Sequence, residues 1–505
     1  MYKILENTPF GFIFELENLD CFFTRDYTIY LNNEFFMRSN KNVLDIFGLK
    51  PNTVYNVMLD FTDAKLEFQI QTENISYLIN VLDYNAKGNG VDDTTPIMTA
   101  IYTAPKNSVL YFPKGEYLVN HILLKSDIDI YLEEGCVIKQ NYKREVLGVL
   151  KGYQKDYYHQ EAIINSSWEG NPLDIFCPLI YGKDITNARI YGAGTIDGNG
   201  DVSGFWDHSN CKNIAYRPKN IELVNCSNVT IGGITTKNSA SWNVHPYYSQ
   251  NIKLLSLKVK SIEISPNTDG INPESCKNVD IIGCIFSVGD DCIAIKSGKI
   301  FMSKDDLHKP CENINIRNCK MEKGHGAVVI GSEISNGVKN VVVSNCYFIS
   351  TDRGLRIKTR RGRGEKSIVD NIVVKNTKMK EVVHGIVLNM FYYCDPDGHS
   401  NYVRTREKQE VTEEIPSIKN ITVENVILED ILGVGIFAYG LPEQPIEKLS
   451  VKNSKFIFKK IKTYLGVAML DDFEEDENLG IFIKNVKKFE DENNVYIGDH
   501  KKILE

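Results

Sequence analysis

The chain has 505 residues and a formal charge of −8, with 58 Lys and Arg against 66 Asp and Glu. That length can bury a large core, and the acidic balance excludes nucleic acid as a partner, since binding it needs a basic face. No run approaches the about 18 apolar residues of a membrane span, and Met1-Tyr2-Lys3-Ile4-Leu5-Glu6-Asn7 lacks the apolar stretch of a signal peptide, so no membrane partner and a cytoplasmic location are expected.

The N-terminal stretch reads as short strands. Tyr55, Val57, Leu59 and Phe61 alternate with polar neighbours, and after a Thr62-Asp63 turn Leu66, Phe68 and Ile70 alternate again. This period of two describes antiparallel strands with one buried face. The segment Leu49-Lys50-Pro51-Asn52-Thr53-Val54-Tyr55-Asn56-Val57 resembles the L-x-P-x-T-x-Y-x-V stretch of fibronectin type III domains. That resemblance implies a small β-sandwich over residues 1–76 with Tyr55 closing a corner, a plain β-meander being the alternative.

A turn-rich segment from Asp83 to Thr94 leads into an apolar-periodic run from Ile97 to Ala104. Pro96, following Asp93, Thr94 and Thr95, suits the first turn of a short helix. Such a helix would cap the exposed strand edges at the end of a solenoid.

The solenoid itself is read from a repeat. The pattern N-[IV]-x-[IVL] begins at Asn220, Asn251, Asn278, Asn313, Asn340, Asn371 and Asn420, mostly at intervals of 27 to 35 residues. A second Asn follows five residues later at Asn225, Asn318, Asn345, Asn376 and Asn425, and offset 17 holds Ile295, Ile330, Ile357, Leu388 and Phe437. Short β-branched strands at this spacing, with no helical pattern between them, predict an all-β, right-handed parallel β-helix over residues 77–505, one coil per repeat. Equal offsets then form vertical stacks at about 4.8 Å. Cys226, Cys284, Cys319 and Cys346 fall in one such slot, so these four of the 12 cysteines are expected as core residues rather than disulfides. Two long interruptions, residues 141–178 and 390–418, carry Tyr153, Tyr157, Tyr158, Trp168, Tyr392 and Tyr393 and have the length of functional loops.

The register also gathers polar residues. Offset 12 gives Asp290, His325 and Asp352 on successive coils; offset 18 gives Lys296, Gly331 and Lys358, with Arg356 on the same strand face as Lys358. Asp291 follows Asp290, and Asp269 lies late in the preceding coil. Carboxylates this close cannot all ionise freely, so at least one should hold a proton, as the general acid of a glycosidase must. Arg353, Arg356, Lys358, Arg360, Arg361 and Arg363 form a basic stretch that suggests recognition of a carboxylate-bearing substrate.

Asn267-Thr268-Asp269-Gly270, Gly289-Asp290-Asp291, Gly324-His325-Gly326 and Arg356-Ile357-Lys358 resemble, in that order, the four signature motifs of the family 28 glycoside hydrolases, the polygalacturonases. The similarity runs over roughly residues 80 to 460, and Arg360-Arg361-Gly362-Arg363 with the N-terminal domain resembles the bacterial exo-acting members. The resemblance implies inverting hydrolysis of α-1,4-linked galacturonate without metal or cofactor. It casts Asp290 as general acid, Asp269 and Asp291 as holding and activating water, and His325 as sustaining the acid's protonation. Arg356 and Lys358 would bind the substrate carboxylate, with Asn389, Tyr392, Arg353 and Arg361 as further substrate contacts. Asn272 departs from the Asp common at its position. The expected partner is a galacturonate oligomer, a homo-oligomer being open. Endo action, a rhamnogalacturonan hydrolase, a calcium-dependent lyase and a non-catalytic glycan-binding β-helix are the alternatives.

Overall fold

The computed structural model describes all residues except 18–19, 157, 159–160, 208, 210–211, 305–306, 460–464, 475 and 477. Tyr157 of the first interruption therefore lies outside the described residues. Strands Tyr2–Thr8, Gly11–Leu16 and Val43–Phe47 form one antiparallel sheet, and Glu34–Lys41, Phe23–Leu31, Val54–Asp60 and Lys65–Gln71 a second. Their facing residues, Phe12, Phe14, Ile29, Leu44 and Leu59 among them, close a core of their own. This is the fibronectin type III-like sandwich, and Tyr55 makes its corner: its hydroxyl accepts a hydrogen bond from the Lys50 amide at 2.9 Å.

From Tyr77 the chain winds into a right-handed parallel β-helix with three sheets. The first runs from Tyr77–Asn80 to Val486–Glu492 and the second from Asn89–Asp92 to Val495–Ile497. The third begins at Ile122–Leu123 and continues, through bridges at Ile271 and Glu274, to Lys501–Leu504. The expected helix spans Thr94–Thr103 and buries Ile97, Met98, Ala100 and Ile101 over the first coil. Asp93 does not cap it; its carboxylate accepts from the amides of Lys87 and Gly88 and holds the turn ahead of the helix.

The repeated Asn residues form a ladder at one corner of the first sheet. Asn371 donates to Asn340, Asn340 to Asn313, Asn313 to Asn278, Asn278 to Asn251 and Asn251 to Asn228, at 2.9–3.1 Å. Each of these six has a φ between 54° and 60°, a left-handed conformation that Asn tolerates better than other residues with a Cβ. Asn220 is not a rung. It opens the third-sheet strand Ile221–Val224, and the rung is Asn228, whose own Asn228-Val229-Thr230-Ile231 meets the same pattern eight residues later. The error displaces Asn225 and Cys226 with it. Cys284, Cys319 and Cys346 stack as expected, whereas Cys226 heads a different column with Ser249, Cys276 and Cys311. Phe437 likewise sits one step out, pairing with Val387, because the turn between Glu429 and Ile436 is one residue longer than that between Lys380 and Ile386. All eleven described cysteines are free thiols.

The sandwich lies against the first sheet and the turns leading to the second. Phe10 stacks on Tyr131 at 4.2 Å, Ile13 and Val43 pack on Leu255 and Ile282, and Arg189 joins Glu6, Glu73 and Asp129. Further along, Arg317 pairs with Glu15 at 2.8 Å and the Cys21 thiol reaches the Asn376 carbonyl. The acidic residues singled out above lie instead on the turns between the second and third sheets. The sandwich thus supports the back of the solenoid and does not line the site.

Candidate active site

Asp269 lies in the turn after Lys258–Lys260, and Asp290 and Asp291 between Ile285–Ser287 and Ile293–Ile295. His325 lies between Lys320–Glu322 and Val328–Ile330. Backbone bonds stack these turns: the Gly270 amide donates to the Asp291 carbonyl at 3.0 Å, and His325 to that of Asp290 at 3.1 Å. The glycines flanking His325 are sterically required. A Cβ on Gly324, whose φ is +96°, would lie 2.6 Å from the Asp290 carbonyl, and one on Gly326 2.4 Å from Val329 and 3.1 Å from the Asp291 carboxylate.

His325 Nδ1 lies 3.3 Å from Asp290 Oδ1. Its hydrogen bond to Asp290, opposed by burial and aided by the charges of Asp290, Asp291 and Asp352, pushes the imidazole up to about 9. Burial would raise Asp290, but His325, then Lys358 and Lys296, hold it below the usual carboxylate value. The raised carboxyl is therefore Asp269, not the one expected to act as acid. Burial, then repulsion from Asp290 and Asp291 partly offset by Lys296 and the Asn272 amide, pushes Asp269 up to about 8. Asn272 Nδ2 donates to Asp269 Oδ2 at 2.7 Å, so the departure from Asp places a donor where a further carboxylate would add repulsion.

The third-sheet strand Arg353–Lys358 supplies the cations. Lys358 Nζ lies 3.0 Å from Asp291 Oδ2, and an Arg356 nitrogen 3.9 Å from Oδ1. Tyr392 covers both, its ring 5.6 Å from the Arg356 guanidinium and 5.5 Å from the Lys358 ammonium. Among the described residues Arg356 makes no hydrogen bond closer than that ion pair, so its planar donors are unspent. Asn389 pairs with Lys358 in the ladder, yet its side chain is committed to the Phe391 amide and the Met469 carbonyl.

Arg353 and Arg361, expected to contact substrate, are instead buried and bonded within the protein. Arg361 is fully buried, clamps Glu443 at 2.6 and 3.0 Å and donates to the carbonyls of Tyr402, Val403 and Thr405. Arg353 donates to Val467 and Gly466. Arg360 binds Asp397 and Arg363 binds Asp395. Most of the basic stretch is therefore neutralised internally, fixing residues 390–418 and the segment around Gly466, because a buried guanidinium must find acceptors.

Other neighbours lie outside the repeat register, although Trp242-Asn243-Val244-His245-Pro246 belongs to the resemblance to family 28. Arg217, on a third insertion between Thr195–Asp197 and Ile221–Val224, donates to the Ala240 and Pro266 carbonyls and to Asn267 Oδ1, bracing the turn before Asp269. Beneath the site, His245 bridges Glu222 and Glu274 at 3.0 and 2.9 Å, and Lys219 bonds Glu222 at 2.6 Å. Ser166 and Ser167 of the first insertion donate into this buried network. The meeting of these residues requires three distant segments.

The model of the glycosyl hydrolases family 28 matches residues 110–430. The chain belongs to that family. It is a glycoside hydrolase. A protein from Vitis vinifera named probable polygalacturonase is 28% identical over 387 residues, covering 74% of this chain and 73% of that protein. An exopolygalacturonase structure from Thermotoga maritima aligns at 25% identity with a TM-score of 0.66, covering 84% of this family 28 chain and 92% of that one. The family 28 exopolygalacturonase of Yersinia enterocolitica shares the fold at 17% identity and a TM-score of 0.67, covering 96% and 98%.

Proposed function

We infer that this family 28 enzyme is a polygalacturonase of exo type, hydrolysing α-1,4-galacturonosidic bonds with inversion and releasing mono- or digalacturonate from chain ends. One observation carries the reading: Arg356, with donors to spare, stands beside Asp291 within the cluster of Asp269, Asp290 and His325. A guanidinium suits a planar carboxylate, and a pair of carboxylic groups suits glycosidic cleavage. Asp290 donates its proton to the leaving oxygen and is resupplied by His325, while Asp269 and Asp291 hold the water and accept its proton. Repulsion between Asp269 and Asp290 means that protonating either eases ionisation of the other. Moving the Asp269 proton to Asp290 therefore creates acid and base together. The exo part rests on the two long insertions, which bring Tyr392 over Arg356 and Lys358 and Trp168 beside Arg217, and on the likeness to the Thermotoga maritima protein described as an exopolygalacturonase.

Early products from polygalacturonate test it. Mono- or digalacturonate alone, with slow loss of viscosity, is expected; a ladder of mixed lengths overturns exo action, and absence of hydrolysis overturns the whole reading. Asp290→Asn should abolish product formation.

A further inference from the structure

The first insertion brings a carboxylate to the site for which the mechanism has no use. Glu169 has a φ of +46°, a left-handed conformation uncommon for a residue with a Cβ, and such strain persists only where its surroundings enforce it. Here they do. Ser166 Oγ donates to Glu222 at 2.8 Å, Ser167 Oγ to Glu274 at 2.7 Å, and Lys219 Nζ to the Ser167 carbonyl at 2.6 Å. Trp168 and Asn171 exchange backbone bonds of 2.7 and 3.0 Å around Glu169, and Trp168 stacks on Tyr216 at 5.1 Å with Arg217 5.0 Å from its ring. On the other side Gly170, at φ +76°, packs so closely that an added Cβ would lie 2.8 Å from Glu333. The Lys299 amide donates to its carbonyl at 3.0 Å.

The Glu169 carboxylate is nevertheless unspent. Two lysines stand close enough to act on its charge, but Lys296 is bonded to Glu333 at 2.9 Å and Lys299 to Asp395 at 2.6 Å. Among the described residues no hydrogen bond or ion pair engages its carboxylate, and the Asn171 side-chain amide, at 3.5 Å, donates to the Glu169 main-chain carbonyl. Its place relative to the catalytic wall follows from its flanking residues: Trp168 lies against Arg217, which donates to Asn267 two residues before Asp269, and Gly170 packs on Glu333, the partner of Lys296. Burial raises Glu169 above the usual carboxylate value, and Glu333 adds to this.

We propose that Glu169 accepts a hydrogen bond from a free hydroxyl of the terminal sugar of a uronate chain and thereby selects chain ends. The inference rests on the polygalacturonase reading above. A rigid, unpaired carboxylate repels the uronate carboxylates, so the group it can bind on such a chain is a hydroxyl. At the non-reducing end the 4-oxygen is a hydroxyl and can donate; within the chain it is a glycosidic ether and cannot. Glu169 thus reads the difference between an end and a continuation, at no covalent step.

The test compares trigalacturonate with the trimer bearing a 4,5-unsaturated non-reducing sugar, which lacks that hydroxyl, in wild type, Glu169→Ala and Glu169→Gln. A hydrogen bond to a charged acceptor predicts that wild type prefers the saturated trimer in kcat/KM by about 10- to 100-fold. Glu169→Ala should narrow the ratio to within about threefold and Glu169→Gln, which keeps one acceptor oxygen, should lie between. If Ala prevents folding, the Gln variant decides. An unchanged ratio in the variants, with wild type still releasing only end products, overturns this role and leaves exo action standing. Mixed-length products from wild type overturn the exo reading and this inference with it.

Discussion

His325 Nδ1 and Asp290 Oδ1 face each other at 3.3 Å across adjacent coils, with the imidazole raised to about 9 and the carboxylate held low. Each stabilises the other's charge, so the pair stores a proton beside the bond to be cut. His325→Ala should lower kcat by about 10²-fold. Wild-type activity should fall as pH rises from about 8 to about 9, as the Asp269 and then the His325 proton is lost, and in the variant only the limb near 8 should remain, as a pH–rate profile will show. The stability the pair adds is fully present below the ordinary histidine value of 6.5 and is lost as pH rises through about 9. The melting temperatures of the two proteins should therefore converge at alkaline pH.

Asp269 sets stability against function. Its carboxyl, raised from 3.8 to about 8, binds a proton more tightly in the folded chain, so folding loses stability as pH climbs across that interval. Asp269→Asn should abolish hydrolysis by at least about 10³-fold while melting about 1–3 °C higher than wild type at pH 8.5. The gain should disappear near pH 4, which calorimetry at both pH values will reveal.

The unspent donors of Arg356 beside Asp291 give a third expectation. Arg356→Lys keeps the charge but loses the planar fork, and should reduce kcat/KM for trigalacturonate by about 10- to 100-fold. Preference for free acids over methyl-esterified oligomers should shrink in parallel. Equal losses on both substrates would place Arg356 in support of Asp291 rather than against the substrate.

Arg361 and Glu443 are both fully buried at 2.6 Å, and removing one leaves the other charged and unpaired. Arg361→Ala should cost about 3–5 kcal/mol, read as an earlier onset of urea unfolding. Arg361→Met with Glu443→Leu should recover only part of that loss, because the carbonyls of Tyr402, Val403 and Thr405 still lose their donor. The basic stretch of the sequence is in this part a fastening of residues 390–418, not a substrate surface.

Those arginines mark where local reading stops. Strand alternation, the Asn starts and a coil length of 27 to 35 residues are short-range patterns, and they determined the β-helix, the sandwich and the meeting of Asp290 with His325. Once coils stack, equal offset means contact. Even there a chance match at Asn220 displaced one coil, since Asn228 satisfies the same pattern. What depends on long-range burial was decided by the tertiary structure alone. Arg361 finds Glu443 across 82 positions, Ser167 finds Glu274 across 107, and the carboxyl that keeps a proton is the buried Asp269 rather than Asp290. The sequence names which charges exist and which face they share; their ionisation and partners follow from how much water the fold removes around each, and no periodicity encodes that.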